Sequence, residues 1–141
     1  MHIYKNYDVR LTDGKDGSFE GRVEVYRVGA WGTICHDGWG PNDAQVVCKQ
    51  LGYAGVKIVH KKSYFGEGRG PIWLDDLACN GSETNLGQCS HNGWGSHDCT
   101  HAQDAGVVCD TGNRNGSYLT GWGKELIILQ KFAFYSSTTL T

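Results

Sequence analysis

Between Gly21 and Tyr53 the chain changes from one hydrophobic period to another, and the rest of the sequence is arranged around that change. Val23-Glu24-Val25-Tyr26-Arg27-Val28 alternates apolar and polar residues, the period of a half-buried strand. Gly29-Ala30 is expected to turn the chain, and Trp31-Gly32-Thr33-Ile34-Cys35 to return as the second strand of a hairpin. After Pro41 the spacing becomes helical: Ala44, Val47, Cys48 and Leu51 fall at i, i+3, i+4 and i+7. Asn42 or Asp43 is expected to cap this helix and Gly52 to end it.

The flanking patterns are shorter. Val9-Arg10-Leu11-Thr12, Lys57-Ile58-Val59-His60, Pro71-Ile72-Trp73-Leu74 and Ala105-Gly106-Val107-Val108-Cys109 are strand candidates. Asp13-Gly14-Lys15-Asp16-Gly17 is a turn cluster, and residues 61–70 form a glycine-rich, basic loop. Ser82 to Leu86 reads as a short second helix capped by Ser82. The stretch from His91 to His101 is irregular and rich in His, Asn, Gly and Asp. Residues 1–7 are read as leader or linker, 8–110 as one domain, and 111–141 as a flexible C-terminal extension. Within that extension Glu125 to Tyr135 is apolar but too short to span a bilayer, and is expected either to pack on the domain as a strand or helix or to form an aggregation-prone appendage.

Composition narrows the class. A chain of 141 residues fits one domain with a tail. A net charge of −2 argues against a dedicated nucleic-acid binder, and no apolar run is long enough to cross a membrane as a helix. Six cysteines, an even number, favour a disulfide framework in an oxidising compartment. Zinc is the competing use, with Cys35, His36, His97, Cys99 and His101 as soft donors, but no C-x-x-C pair is present. Spacing alone leaves all of about fifteen pairings open. Asn80-Gly81-Ser82 and Asn115-Gly116-Ser117 are sequons compatible with glycosylation at Asn80 and Asn115. The first residues carry no apolar signal-peptide core, so the chain is expected to be part of a longer secreted or membrane-anchored protein, or to have lost its signal.

Several motifs, taken in order, resemble one family. Val9-Arg10-Leu11, GRVEVY at 21–26, WGTIC at 31–35, DAQVVCKQLGY at 43–53, GPIWLDDLAC at 70–79 and DAGVVC at 104–109 are similar to the scavenger receptor cysteine-rich (SRCR) domain, with a six-cysteine pattern like the family's group A. The resemblance implies an α+β, small disulfide-rich fold in which a curved β-sheet cradles one α-helix, beside a short second helix. It implies the bridges Cys35–Cys99, Cys48–Cys109 and Cys79–Cys89. It also implies an extracellular binding module of the scavenger and mucosal-defence type, with polyanions, bacterial surface components or other proteins as partners, and with calcium assisting.

Carried over residue by residue, the resemblance makes Asp75, Asp76 and Asp98 calcium ligands, three carboxylates of the hard-donor type that cation prefers. A second family site falls on His36-Asp37 and Gln103-Asp104; two of its ligand carboxylates are replaced, which leaves Asp37 as a weaker candidate. The segment Val23-Glu24-Val25-Tyr26 followed by Trp31 resembles a family motif linked to bacterial binding, with Tyr26 where Leu is common, so Glu24 and Tyr26 join the ligand-binding candidates. Arg22, Arg27, Lys57, Lys61, Lys62 and Arg69 are the cations available to an anionic ligand. An adhesion or targeting role inside a larger secreted mosaic protein or enzyme is the alternative. Intrinsic catalysis is not expected. No nucleophile-elbow pattern accompanies the histidines, and adjacent Asp75 and Asp76 project in different directions in an extended segment.

Overall fold

The computed structural model describes residues 3–112, 128–131 and 133–134. The first compact unit, residues 1–111, is built on a curled, half-barrel sheet. Its strands are β1 (Val9–Asp13), β2 (Glu20–Arg27), β3 (Ala30–Ile34), β4 (Gly55–His60), β5 (Ile72–Leu74) and β6 (Gly106–Asp110), ordered β4-β6-β2-β3-β5 with β1 beside β2. Strand β2 is central because both of its edges are used. One edge pairs with β1 from Gly21 to Val25. The other is shared, with β6 against Glu20–Arg22 and β3 against Glu24–Arg27. Two neighbours on one edge force the sheet to curl.

The hairpin turn lies one residue earlier than expected, at Val28–Gly29, because Arg27 pairs with Ala30. Both turn residues have positive φ (48° and 83°), the geometry that matches a two-residue loop to strand twist. Gly29 adopts it freely, while the branched Val28 is held there with its N–H donated to Asn6 Oδ1 at 2.9 Å. Ahead of β1, Tyr4 packs on Tyr26 and Trp31, and Tyr7 stacks on Trp94.

The helix α1 (Pro41–Gln50) lies in the curl. Ala44, Val46, Val47 and Cys48 are wholly buried and pack with Val23, Val25, Ile34, Leu74 and Val107. Pro41, with its fixed φ and no N–H, opens the first turn. The cap is Gly40, not Asn42 or Asp43. Asp43 sits in the first turn and reaches back, its Oδ2 accepting from Gly40 N–H at 2.8 Å, while Oδ1 accepts from Cys79 N–H at 2.8 Å. Burial raises its pKa despite those bonds. Gly52 follows the helix end at φ 92°, as expected of a glycine there.

All three disulfides implied by the resemblance are present: Cys35–Cys99, Cys48–Cys109 and Cys79–Cys89. The second one ties the buried helix face to β6. The short second helix is not where it was expected. Ser82 caps nothing: its N–H and hydroxyl both go to Asn80 Oδ1, and Glu83 accepts from Asn80 and Gly81 N–H. Side chains here take the backbone donors a helix would use. In its place are two lone 3₁₀ turns, Leu86–Gln88 and His101–Gln103.

In the second unit, residues 112–141, β7 (Ile128–Lys131) pairs antiparallel with β8 (Ala133–Phe134). The sequon at Asn115 and the rest of the 125–135 apolar run lie outside the described residues.

Candidate functional site

Parallel pairing assembles the first candidate site. Strands β3 and β5 run in the same direction, with Thr33 opposite Ile72 and Ile34 opposite Leu74. The residues that follow them therefore leave the sheet at the same end: Cys35-His36-Asp37 from β3 and Asp75-Asp76 from β5. Cys35 N–H donates to Leu74 O at 2.8 Å, and Asp76 N–H to Asp37 O at 3.2 Å, which stitches the two exits together. The Cys35–Cys99 bridge then brings Asp98 to the same place, with its Oδ1 3.7 Å from Cys99 Sγ.

Carboxylate oxygens of Asp37 and Asp75 and the sulfurs of Cys35 and Cys99 lie within 4.8 Å of one another. The sulfurs are spent in the disulfide, so the oxygens are the available donors. Asp75 is 2% exposed, and its Oδ1 has no hydrogen-bond partner among the described residues. Burial pushes its pKa up, and the nearby Asp76 and Asp37 charges push in the same direction; N–H bonds from Asp76 and Asp98 only partly offset them. Asp76 and Asp98 are exposed and stand outside the 4.8 Å set, and Asp76 is held at φ 55°. The structure thus groups Asp75 with Asp37, a residue that sequence reading assigned to a different cluster.

The partners proposed for that other cluster are occupied. His36 Nδ1 accepts from Lys62 N–H at 3.0 Å. Gln103 Oε1 accepts from Thr100 N–H, capping the 3₁₀ turn. Asp104 is 1% exposed and accepts from Gly68 N–H at 2.7 Å and from His101 Nδ1 at 2.9 Å. His101 Nε2 faces Gly70 O at 3.0 Å, so both ring nitrogens meet acceptors, a setting that suits the imidazolium. Burial pulls the His101 pKa down, but the Gly70 carbonyl and Asp104 outweigh it and leave it raised. These residues pin the 61–70 loop, a structural task that no local sequence signal announced.

The motif on β2 is also internally satisfied. Glu24 is 5% exposed and accepts from Arg10 at 2.6 and 2.9 Å and from Arg22 at 3.1 Å. Arg22 is 7% exposed and also pairs with Asp13 at 2.9 Å and donates to Gly66 O at 3.2 Å. Arg10 lies over Trp31 and Arg27 over Trp94, at 4.3 and 4.8 Å from the ring centres. Tyr26 is half-buried, edge-on to Trp31. By contrast Lys57, Lys61, Lys62 and Arg69 are exposed and, among the described residues, in no ion pair. Arg69 reaches a polar cleft of about 420 Å³ shared with Arg10, Glu24 and Glu67. Asn80 is exposed.

Three comparisons bear on this arrangement. The family model for the scavenger receptor cysteine-rich domain matches residues 12–110. A scavenger receptor cysteine-rich domain superfamily protein of Patiria pectinifera is 55% identical over 105 residues, which is 74% of this chain and 9% of that relative's length. Among solved structures, the third SRCR domain of murine neurotrypsin shares 50% identity at a TM-score of 0.68, covering 73% of this chain and 95% of that one. The dimeric form of the SRCR domain of mouse MARCO shares 48% identity at a TM-score of 0.61, covering 64% and 86%.

Proposed function

The chain belongs to the scavenger receptor cysteine-rich family, whose modules are extracellular receptor and ligand-binding domains, and from that premise we propose that it captures polyanionic or microbial surface ligands with the help of calcium. The observation that carries this reading is the buried, unpartnered Oδ1 of Asp75 beside the Asp37 carboxylate. A carboxylate withdrawn from water and crowded by like charge is costly unless a cation compensates it. Oxygen-only donors suit a hard divalent ion.

Asp75 and Asp37 would hold the ion, with Asp98 and Asp76 at the rim as further oxygen donors. Calcium supplies positive charge to which a sulfate, phosphate or carboxylate of the ligand binds directly. Lys61, Lys62 and Arg69, exposed on the 61–70 loop, add cations that hold the same anions. Arg22 and Glu24 serve from inside, by fixing the sheet face and the loop beneath those cations.

The direct test is capture of the oxidised protein on an immobilised sulfated polysaccharide and on whole bacteria, with calcium and then with a chelator. Capture is expected to vanish with chelator and in Asp75→Asn. Capture indifferent to both overturns the calcium role. A folded protein that captures neither material in either condition points to the alternative, a protein-targeting module of a larger extracellular chain.

A further inference from the structure

Away from the carboxylates, the 61–70 loop holds one exposed aromatic ring with unusual firmness. Tyr64 is 63% exposed, yet its ring is stacked flat on His60, centroids 3.7 Å apart and planes 7° from parallel. Phe65 meets both rings edge-on, at 5.3 Å from His60 and 4.9 Å from Tyr64. Phe65 is itself buried, and so close to Gly106 that a Cβ there would stand 2.7 Å from its ring.

The backbone leading to Tyr64 is strained. Lys62 and Ser63 have φ of 56° and 51°, two consecutive non-glycine residues in the left-handed region. Such conformations persist where the surroundings enforce them, and they cluster at binding sites. Here Lys62 N–H donates to His36 Nδ1, Ser63 N–H to Asp104 O at 3.0 Å, the Ser63 hydroxyl to His101 O, and Asp104 N–H to Ser63 Oγ at 2.9 Å. The loop is over-determined, and what it presents to solvent is Tyr64.

That ring lines a groove of about 490 Å³ together with Phe19, Ile58, His60, Lys15 and Lys57. Both lysines are exposed and, among the described residues, unpaired with any carboxylate. Two acidic residues also line it. Glu20 is engaged, accepting from Lys15 and Asp16 N–H at 2.8 and 3.1 Å, while Asp16 is exposed. Lys61 and Lys62, next to His60 in the chain and exposed, add positive charge beside the Tyr64 wall.

We propose that this groove seats one sugar ring of a sulfated polysaccharide, stacked on Tyr64, with its sulfate groups on Lys57 and Lys15. A pyranose has an apolar C–H face that packs on a rigid aromatic ring and carries its anions at the edge. A bare polyphosphate would leave the ring unused, and an apolar partner would leave the lysines unpaired. The inference rests on the polyanion reading above. It adds a contact point, the Tyr64 wall of the groove, that does not involve the carboxylate site.

The test titrates a sulfated hexasaccharide and a polyphosphate of matched charge against the oxidised protein, Tyr64→Ala and Tyr64→Trp, each with calcium and with chelator. Tyr64→Ala is expected to weaken the hexasaccharide about 5–10-fold, and Tyr64→Trp to preserve it. Polyphosphate binding should be the same in all three, with matching thermal unfolding midpoints. Equal losses on both ligands, or no loss on the hexasaccharide, overturn the stacking role. Wild-type protein that binds polyphosphate but not the hexasaccharide overturns this inference alone, and protein that binds neither overturns the polyanion reading with it.

Discussion

Glu24 and Asp75 are withdrawn from water to a similar degree, 5% and 2% exposed, and the fold treats them in opposite ways. Glu24 receives two arginines, three donor contacts in all, and its charge is neutralised within the domain. Among the described residues Asp75 receives no cation, keeps an unpartnered oxygen, and faces two further carboxylates. A buried charge that the chain itself compensates belongs to the architecture. One that it leaves uncompensated is ready for something from solution.

Breaking the compensated member of this pair carries the largest expected effect. Glu24→Ala removes the buried carboxylate that Arg10 and Arg22 share and leaves Arg22 only the exposed Asp13 carboxylate and the Gly66 carbonyl, and is expected to lower stability by about 3 kcal/mol. Denaturant unfolding measures this, and the loss should be the same with calcium or chelator. If the loss depended on calcium, the distinction between the two sites would collapse.

The uncompensated member should respond to metal instead. Calcium at about a hundredfold above its dissociation constant is expected to stabilise the wild-type domain by about 2.7 kcal/mol. Thermal unfolding of Asp75→Asn should show no such gain, and Asp37→Asn should show a reduced one. In chelator, Asp75→Asn should be at least as stable as wild type, because it removes a carboxylate that burial and neighbouring charge disfavour.

A smaller effect lies in the pH dependence without calcium. Because the Asp75 pKa is raised in the folded state, the folded protein binds this proton more tightly than the unfolded chain. Its contribution to stability is present below the ordinary carboxylate pKa and is lost as pH rises through the folded value. Chelated protein titrated upward from the ordinary carboxylate pKa should therefore show a downward component that Asp75→Asn lacks. Smallest of all, Arg10→Ala removes a half-exposed partner from Glu24 while Arg22 remains, and is expected to cost about 0.5–1 kcal/mol.

The same pair explains what could be read along the chain. Ala44, Val47 and Cys48 announce the helix because its buried face is a local periodic signal, and the ordered motifs identify the bridges through resemblance. Asp37 beside Asp75 has no such signal. The two are joined by a parallel contact between short strands distant in sequence, with only Thr33–Ile72 and Ile34–Leu74 as partners. Arg22 and Glu24 mislead for a related reason. They alternate with Val23 and Val25, the pattern of a face turned to water, but the 61–70 loop folds over them and Arg22 donates to its Gly66 carbonyl. Coverage by a distant loop is invisible to period-2 patterning.

The long-range bridges also decide how the domain behaves under tension. A load applied between residues 8 and 110 passes along 8–35, crosses to Cys99, and leaves along 99–110, because Cys35–Cys99 short-circuits everything between. Fully drawn out, that path reaches about 130 Å, against about 350 Å for the same segment without bridges. Asp75, the 61–70 loop and the Lys57–Tyr64 wall of the groove lie in the shunted portion of the chain, outside the covalent path that carries the force, whereas Lys15 and Phe19 on the opposite wall lie on it.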